Sequence, residues 1–139
     1  MSRTQFDWTN VAAPSIADFD LMAEAAFAGL PEEFRRLCEG LVIRVEDFPD
    51  EETLDEMQCE SEFDLLGLFR GRGRAQSEAT LATGQFPNMV WLYRRPILDF
   101  WADREESLGA VVTHVLVHEI GHHFGLSDDD MQAIEKATD

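Results

Sequence analysis

The sequence predicts a single α+β domain, and three features support this class. Two short apolar runs, residues 41–45 and 89–93, are rich in the β-branched and aromatic residues typical of strands. Other segments repeat apolar residues with helical spacing, and the longest of them ends near Gly125. The length of 139 residues matches one domain, which we assign to residues 15–139 after a loosely ordered N-terminal lead-in over residues 1–14.

Two helices are predicted before the first strand. Ser15 has the position of an N-cap with Asp18 three residues later, and Gly29 ends this helix. Pro31 suits the first turn of a second helix, which ends at Gly40. The side chains expected to face inward from the second helix are Phe34, Leu37 and Cys38.

The central part of the chain alternates apolar and strongly charged segments. The strand at residues 41–45 is apolar except for Arg44, and this near-continuous apolar run predicts cover on both faces. Residues 46–64 contain ten acidic residues and no basic one, which is typical of a solvated face, and the arginines within residues 70–74 are expected to offset this charge. Residues 75–85 are small and polar, which predicts a flexible loop near a cleft. A short helix within the acidic segment would be anchored by Leu54 and Met57.

The C-terminal part is predicted to form a second strand and two helices. We place the strand at residues 89–93 at the edge of the sheet. Asp103 and Glu106 have the spacing of a capping box that opens the long helix, and Gly125 is expected to end it. Ser127 then caps a last helix. The anchors of this last helix are expected to be Met131 and Ile134.

Composition excludes several classes of partner. A net charge of −17 repels phosphate backbones and anionic lipid, so we expect neither nucleic acid nor membrane as a partner. The sequence has no secretory signal pattern and no apolar run of about 20 residues, which favours a cytoplasmic protein. Cys38 and Cys59 form no C-x-x-C pair and are expected to be free thiols.

One motif, H-E-x-x-H-x-x-G-x-x-D, begins at His118. In a helix, His118 and His122 lie about 40° apart around the axis and can hold one zinc ion. Glu119 is rotated about 100° from the first histidine, which suits a general base better than a ligand. Gly125 allows a sharp turn that would return Asp128 to the metal as the third protein ligand. The predicted nucleophile is a water activated by this zinc ion.

Neighbouring residues leave some roles open. Asp129 and Asp130 compete for the third ligand position, although they can also stabilise a helix N-terminus by charge. His114 lies one turn earlier on nearly the same face, where it could support the ligands, line the cleft or be a core histidine. His123 is rotated too far to bind the same ion. Tyr93 is a candidate for oxyanion stabilisation or for plain packing.

The sequence resembles a family of small bacterial zincin-like metallopeptidases, once catalogued as a domain of unknown function. Three segments carry the resemblance: HEIGHHFGLSD at residues 118–128, LLGLFRG at residues 65–71 and LYRRPI at residues 92–97. It implies a minimal zincin-like fold with a small mixed sheet, a backing helix and an active-site helix. It also implies one bound Zn²⁺ and the site residues His118, Glu119, His122 and Asp128.

Two functions follow from this site. The first is hydrolysis of peptides or unfolded proteins laid along the strand at residues 89–93, with Glu119 as general base. The second is a catalytically idle zinc-binding module with an interaction or regulatory role. A zincin-like endoribonuclease is disfavoured, because its pattern ends in a third histidine and because RNA would be repelled. A di-iron site fails, because it needs a second E-x-x-H motif and all four histidines lie within residues 114–123.

Overall fold

The computed structural model describes residues 6–71 and 88–138, where six α-helices accompany a three-stranded sheet, so the predicted α+β class is confirmed. The predicted loop at residues 75–85 lies outside the described residues. No helix in the described part is long and apolar enough to cross a membrane. The elements in chain order are a 3-10 turn at Trp8–Asn10, α1 (Ile16–Ala28), α2 (Glu32–Leu37), β1 (Val42–Glu46), α3 (Glu51–Glu56), β2 (Gly67–Arg70), β3 (Met89–Tyr93), α4 (Arg94–Ala102), α5 (Leu108–His123) and α6 (Asp128–Lys136).

The sheet is mixed, with the strand order β1-β3-β2. β3 pairs in parallel with β1 and antiparallel with β2. The prediction that residues 89–93 form an edge strand is therefore wrong, because β3 is hydrogen-bonded on both sides and buries Val90 and Leu92 completely. The prediction that the first strand is covered on both faces is also wrong. Among the described strands β1 lies at an edge, and it exposes Arg44 and Glu46.

α1 is the backing helix of the fold. It packs against α5 and β1, and it buries Phe19 and Ala23 completely. The predicted N-cap is confirmed, and Ser15 forms a capping box with Asp18: the Asp18 backbone N–H donates to Ser15 Oγ at 3.1 Å, and the Ser15 N–H donates to Asp18 Oδ2 at 2.8 Å. The local sequence thus determines where this helix begins.

The two short helices follow their predictions only in part. α2 buries Phe34 and Cys38, but Leu37 is 44% exposed, so its predicted inward position is wrong. Both cysteines are free thiols, as predicted, and burial raises the pKa of Cys38 to about 11. Arg70 forms an ion pair with Glu56 of α3 at 2.7 Å. The prediction that arginines offset the negative charge of the acidic segment is therefore confirmed for Arg70.

α5 is the central helix, and it begins later than predicted. Asp103 does not open it, because residues after β3 first form α4, whose C-cap is Asp103. Ser107 is the N-cap of α5, and its Oγ accepts a hydrogen bond from the Ala110 backbone N–H at 3.1 Å. The core side of α5 consists of the buried residues Val111, Val112, Val115, Leu116, Val117, Ile120 and Gly121.

α6 runs back along α5 after a sharp turn. Gly125 has φ +77°, in the left-handed region that favours glycine, as predicted for the end of the long helix. Ser127 and Asp130 form a capping box that starts α6. Met131 is fully buried against Gly121 of α5, as expected for an anchor of this helix.

We expect Gly121→Ala to destabilise the protein by about 1–3 kcal/mol. A Cβ atom at residue 121 would come 2.8 Å from Met131 Cγ and closer still to its sulfur, and Met131 is fully buried. Urea unfolding measures the effect. Gly109→Ala on the same helix is the control, because nothing lies within 4 Å of that position and alanine favours helix. Equal stability of the two variants would contradict this packing.

Candidate metal centre

α5 presents three histidines along one side, one on each successive turn. The ring centroids of His114 and His118 lie 4.0 Å apart, and those of His118 and His122 lie 5.6 Å apart with nearly perpendicular planes. This arrangement follows from the four-residue spacing, which places side chains on one face of a helix. The side chains of His114 and His118 are 46% and 24% exposed, so solvent and ions can reach this face.

Glu135 of α6 reaches the same face. Its Oε1 lies 3.1 Å from His114 Nδ1, and its Oε2 lies 3.2 Å from His118 Nε2. The donor atoms of these three residues all lie within 4.8 Å of one another, so the three residues could hold a metal ion. Glu135 is not among the site residues predicted from the sequence. The available signal was that Glu135 follows the predicted anchor Met131 by one helical turn and therefore faces α5.

The surroundings of His118 favour its neutral form. Burial lowers the pKa of His118, and the nearby His114 lowers it further. Glu135 acts in the opposite direction, but the net direction is downward. A neutral imidazole has a free lone pair, so His118 is ready to bind a metal ion at neutral pH.

Glu119 follows the first histidine of the motif, packs toward β2 and is partly buried. Burial raises the pKa of its carboxyl group to about 7. The side chain packs on the start of β2, where a Cβ atom added to Gly67 would come 3.2 Å from Glu119 Cγ and 3.0 Å from Val115 Cγ1. The absence of a side chain at Gly67 therefore lets Glu119 lie against the sheet.

The aspartates after the turn occupy different positions in α6. Asp130 is engaged in the capping box, where its backbone N–H donates to Ser127 Oγ at 3.0 Å. Asp128 and Asp129 are exposed in the first turn. Asp128 is not part of the donor cluster that contains Glu135. Its role as the third ligand therefore stays a prediction, as do the roles of His118 and His122.

Two other aromatic residues near the site have different surroundings. The ring of His123 stacks on Phe69 of β2 with a centroid distance of 4.1 Å, in keeping with its rejection as a ligand of the same ion. Tyr93 is 2% exposed, and burial, followed by the charge of Glu46, raises its pKa to about 12. Its phenol is thus protonated at neutral pH, and its role as an oxyanion donor stays a prediction.

Comparison with known protein families identifies the family to which the chain belongs. Residues 38–138 match the family described as zincin-like metallopeptidase, which covers the sheet and the helix with the H-E-x-x-H motif. The chain belongs to this family. The match supports the resemblance to zincin-like metallopeptidases from residue 38 onward. The backing helix α1 lies before the matched residues. No curated protein sequence matches the chain.

The family implies a zinc ion, and the residues on α5 and α6 fit one. Neutral imidazole and carboxylate oxygen are donors that zinc takes in proteins. Histidines with this spacing lie on an accessible face, and a carboxylate already contacts two of them. The donor chemistry of this face is therefore that of a zinc site.

Metal-free protein is expected to lose stability as the pH rises from about 4.5 to above 7. Folded Glu119 holds its proton up to about pH 7, whereas the unfolded chain releases it near 4.5, so the loss is on the order of 2–3 kcal/mol. We expect Glu119→Gln to remove this loss of stability. Urea unfolding of both proteins at pH 5 and pH 8, in the presence of a chelator, measures the difference. The exposed Glu106→Gln should behave like wild type. Parallel pH dependences for wild type and Glu119→Gln would disprove the assignment.

Proposed function

We propose that the chain is a zinc-dependent metallopeptidase that hydrolyses peptide bonds in peptides or unfolded proteins. The observation that carries the proposal is the position of Glu119, which directly follows His118 and packs against β2 at Gly67 as a partly buried carboxyl group whose pKa burial raises to about 7. Membership of the zincin-like metallopeptidase family supports the same reaction class. Removing a carboxyl group from water is costly, and a role as general base would explain why Glu119 occupies this position.

Each residue of the motif has a proposed role. His118, His122 and Asp128 would hold the zinc ion, which would supply Lewis-acid activation of a water molecule and of the substrate carbonyl. Glu119 takes up a proton from the attacking water at its carboxylate and delivers a proton to the leaving amine nitrogen.

The substrate strand is proposed to lie along β2. β3 cannot pair with a substrate, because both of its edges are already hydrogen-bonded. β2 pairs with β3 alone among the described strands, and its first residue, Gly67, contacts Glu119. An extended peptide added beside β2 would thus run close to the proposed general base. The net charge of −17 favours substrates that are basic or neutral.

The test is cleavage of a mixed peptide library by zinc-loaded protein, followed by mass spectrometry of the products. We expect cleavage that stops after removal of the metal with a chelator and returns on addition of Zn²⁺. Cleavage that is indifferent to the chelator would indicate a contaminating peptidase. Zinc-loaded protein that cleaves nothing would instead favour the idle zinc-binding module.

A further inference from the structure

Glu135 contacts His118 at the nitrogen through which His118 could bind a metal, and the ring of His114 lies beside the ring of His118. The Glu135 carboxylate bridges the two rings, with one oxygen 3.1 Å from His114 Nδ1 and the other 3.2 Å from His118 Nε2. The three residues come from two helices, so helical spacing alone does not bring them together. α6 delivers the carboxylate because Met131, one turn earlier, is fixed in the core against Gly121.

We propose that His114, His118 and Glu135 form a second zinc position, distinct from the one predicted for His118, His122 and Asp128. Two imidazole nitrogens and a carboxylate oxygen are a donor set that zinc accepts. With metal–ligand distances of 2.0–2.1 Å, the ligands of a tetrahedral zinc ion lie about 3.3–3.4 Å apart. Each imidazole nitrogen lies 3.1 or 3.2 Å from a different oxygen of the Glu135 carboxylate, and the donor atoms of the three residues all lie within 4.8 Å of one another. Side-chain rotations that bring one oxygen and the two nitrogens to tetrahedral spacing would admit an ion.

The two zinc positions exclude each other. Nε2 of His118 has one lone pair, so an ion bound there with His114 and Glu135 removes this atom from the set with His122 and Asp128. α6 carries a candidate ligand at each end: Asp128 in its first turn and Glu135 in its last. Zinc at the second position is therefore a resting state in which the predicted catalytic set is incomplete.

The second zinc position uses the same face of α5 as the proposed function, but its test does not depend on peptide cleavage. The test uses Zn²⁺ and a competing chelator to measure affinity, and Co²⁺ absorption to report the ligand set. The double variant His122→Ala/Asp128→Ala disrupts the predicted set and leaves the second position intact. We expect it to bind one Zn²⁺ per chain, and we expect the added substitution Glu135→Gln to weaken that binding more than about 100-fold.

Controls separate the possible outcomes. Adding Glu106→Gln, an exposed residue outside the site, to the double variant should leave its affinity unchanged, and circular dichroism checks that every variant is folded. His114→Ala in the double variant should match Glu135→Gln. The inference is overturned if the folded double variant binds less than about a tenth of an equivalent while wild type binds zinc. It is equally overturned if Glu135→Gln leaves the affinity of the double variant unchanged. Zinc-loaded wild type that cleaves no peptide would count against the proposed function alone.

Discussion

Glu119→Gln is expected to lower the rate of peptide cleavage by about 10²- to 10⁴-fold, the range for removal of a general base. Glutamine has nearly the same size and fills the same space against Gly67, but it cannot accept a proton from water. Zinc affinity should stay within about threefold of wild type, because Glu119 is not a proposed ligand. The measurement is the cleavage rate of one peptide substrate at equal zinc loading.

The buried position of Glu119 makes this variant a clear test. Because burial raises the Glu119 pKa to about 7, the metal-free variant should be more stable than wild type at pH 8 while losing activity. Lost activity with gained stability separates a catalytic role from a structural one. A variant that retains more than about a third of wild-type cleavage would exclude Glu119 as the base.

His118→Ala is expected to lower zinc affinity by more than about 100-fold, since even outer-shell partners of a ligand contribute 10- to 100-fold. His118 belongs both to the predicted ligand set and to the cluster with Glu135, and the residues that the structure describes contain no other cluster of three donors. Burial also keeps this imidazole neutral, which favours metal binding. Chelator competition with Zn²⁺ measures the change.

His123→Ala is the matched control for this substitution. His123 lies on the same helix and near its end, but its ring stacks on Phe69 rather than joining the histidine face. Zinc affinity should therefore change less than about threefold. Comparable losses in the two variants would show that zinc binds the imidazoles of this chain without the specific geometry proposed for α5.

Local sequence was sufficient to predict features that depend on neighbouring residues. The N-cap at Ser15 and the left-handed turn at Gly125 were predicted, because each involves contacts within a few residues. The shared face of His118 and His122 follows from helix geometry in the same way. Burial of α5 followed from its apolar composition.

The wrong predictions have two causes: two nearby residues competed as the N-cap of one helix, and strands pair with segments that are distant in sequence. Asp103 and Glu106 had the spacing of a capping box, but α4 ends at this point and Ser107 provides the cap instead. β3 was placed at an edge because its sequence does not specify its neighbours. Its central position depends on β1, which lies more than 40 residues earlier, and on β2.

In the candidate site too, local features were predicted from the sequence and tertiary contacts were not. The histidines and Glu119 lie within nine residues of one helix, so their arrangement was visible in the sequence. Glu135 approaches them because α6 turns back and packs Met131 into the core, a tertiary contact that spacing does not specify. The distance between Asp128 and the histidines depends on the same packing.

The central claim is that α5 carries a zinc site, and the most direct test is the zinc content of the purified protein. Elemental analysis follows supplementation with Zn²⁺ and removal of unbound metal, with His118→Ala processed in parallel. The structure predicts about one zinc ion per wild-type chain and less than about a tenth of an ion per chain in the variant. Wild-type protein with less than about a tenth of an equivalent of zinc would contradict the metal site and every function derived from it.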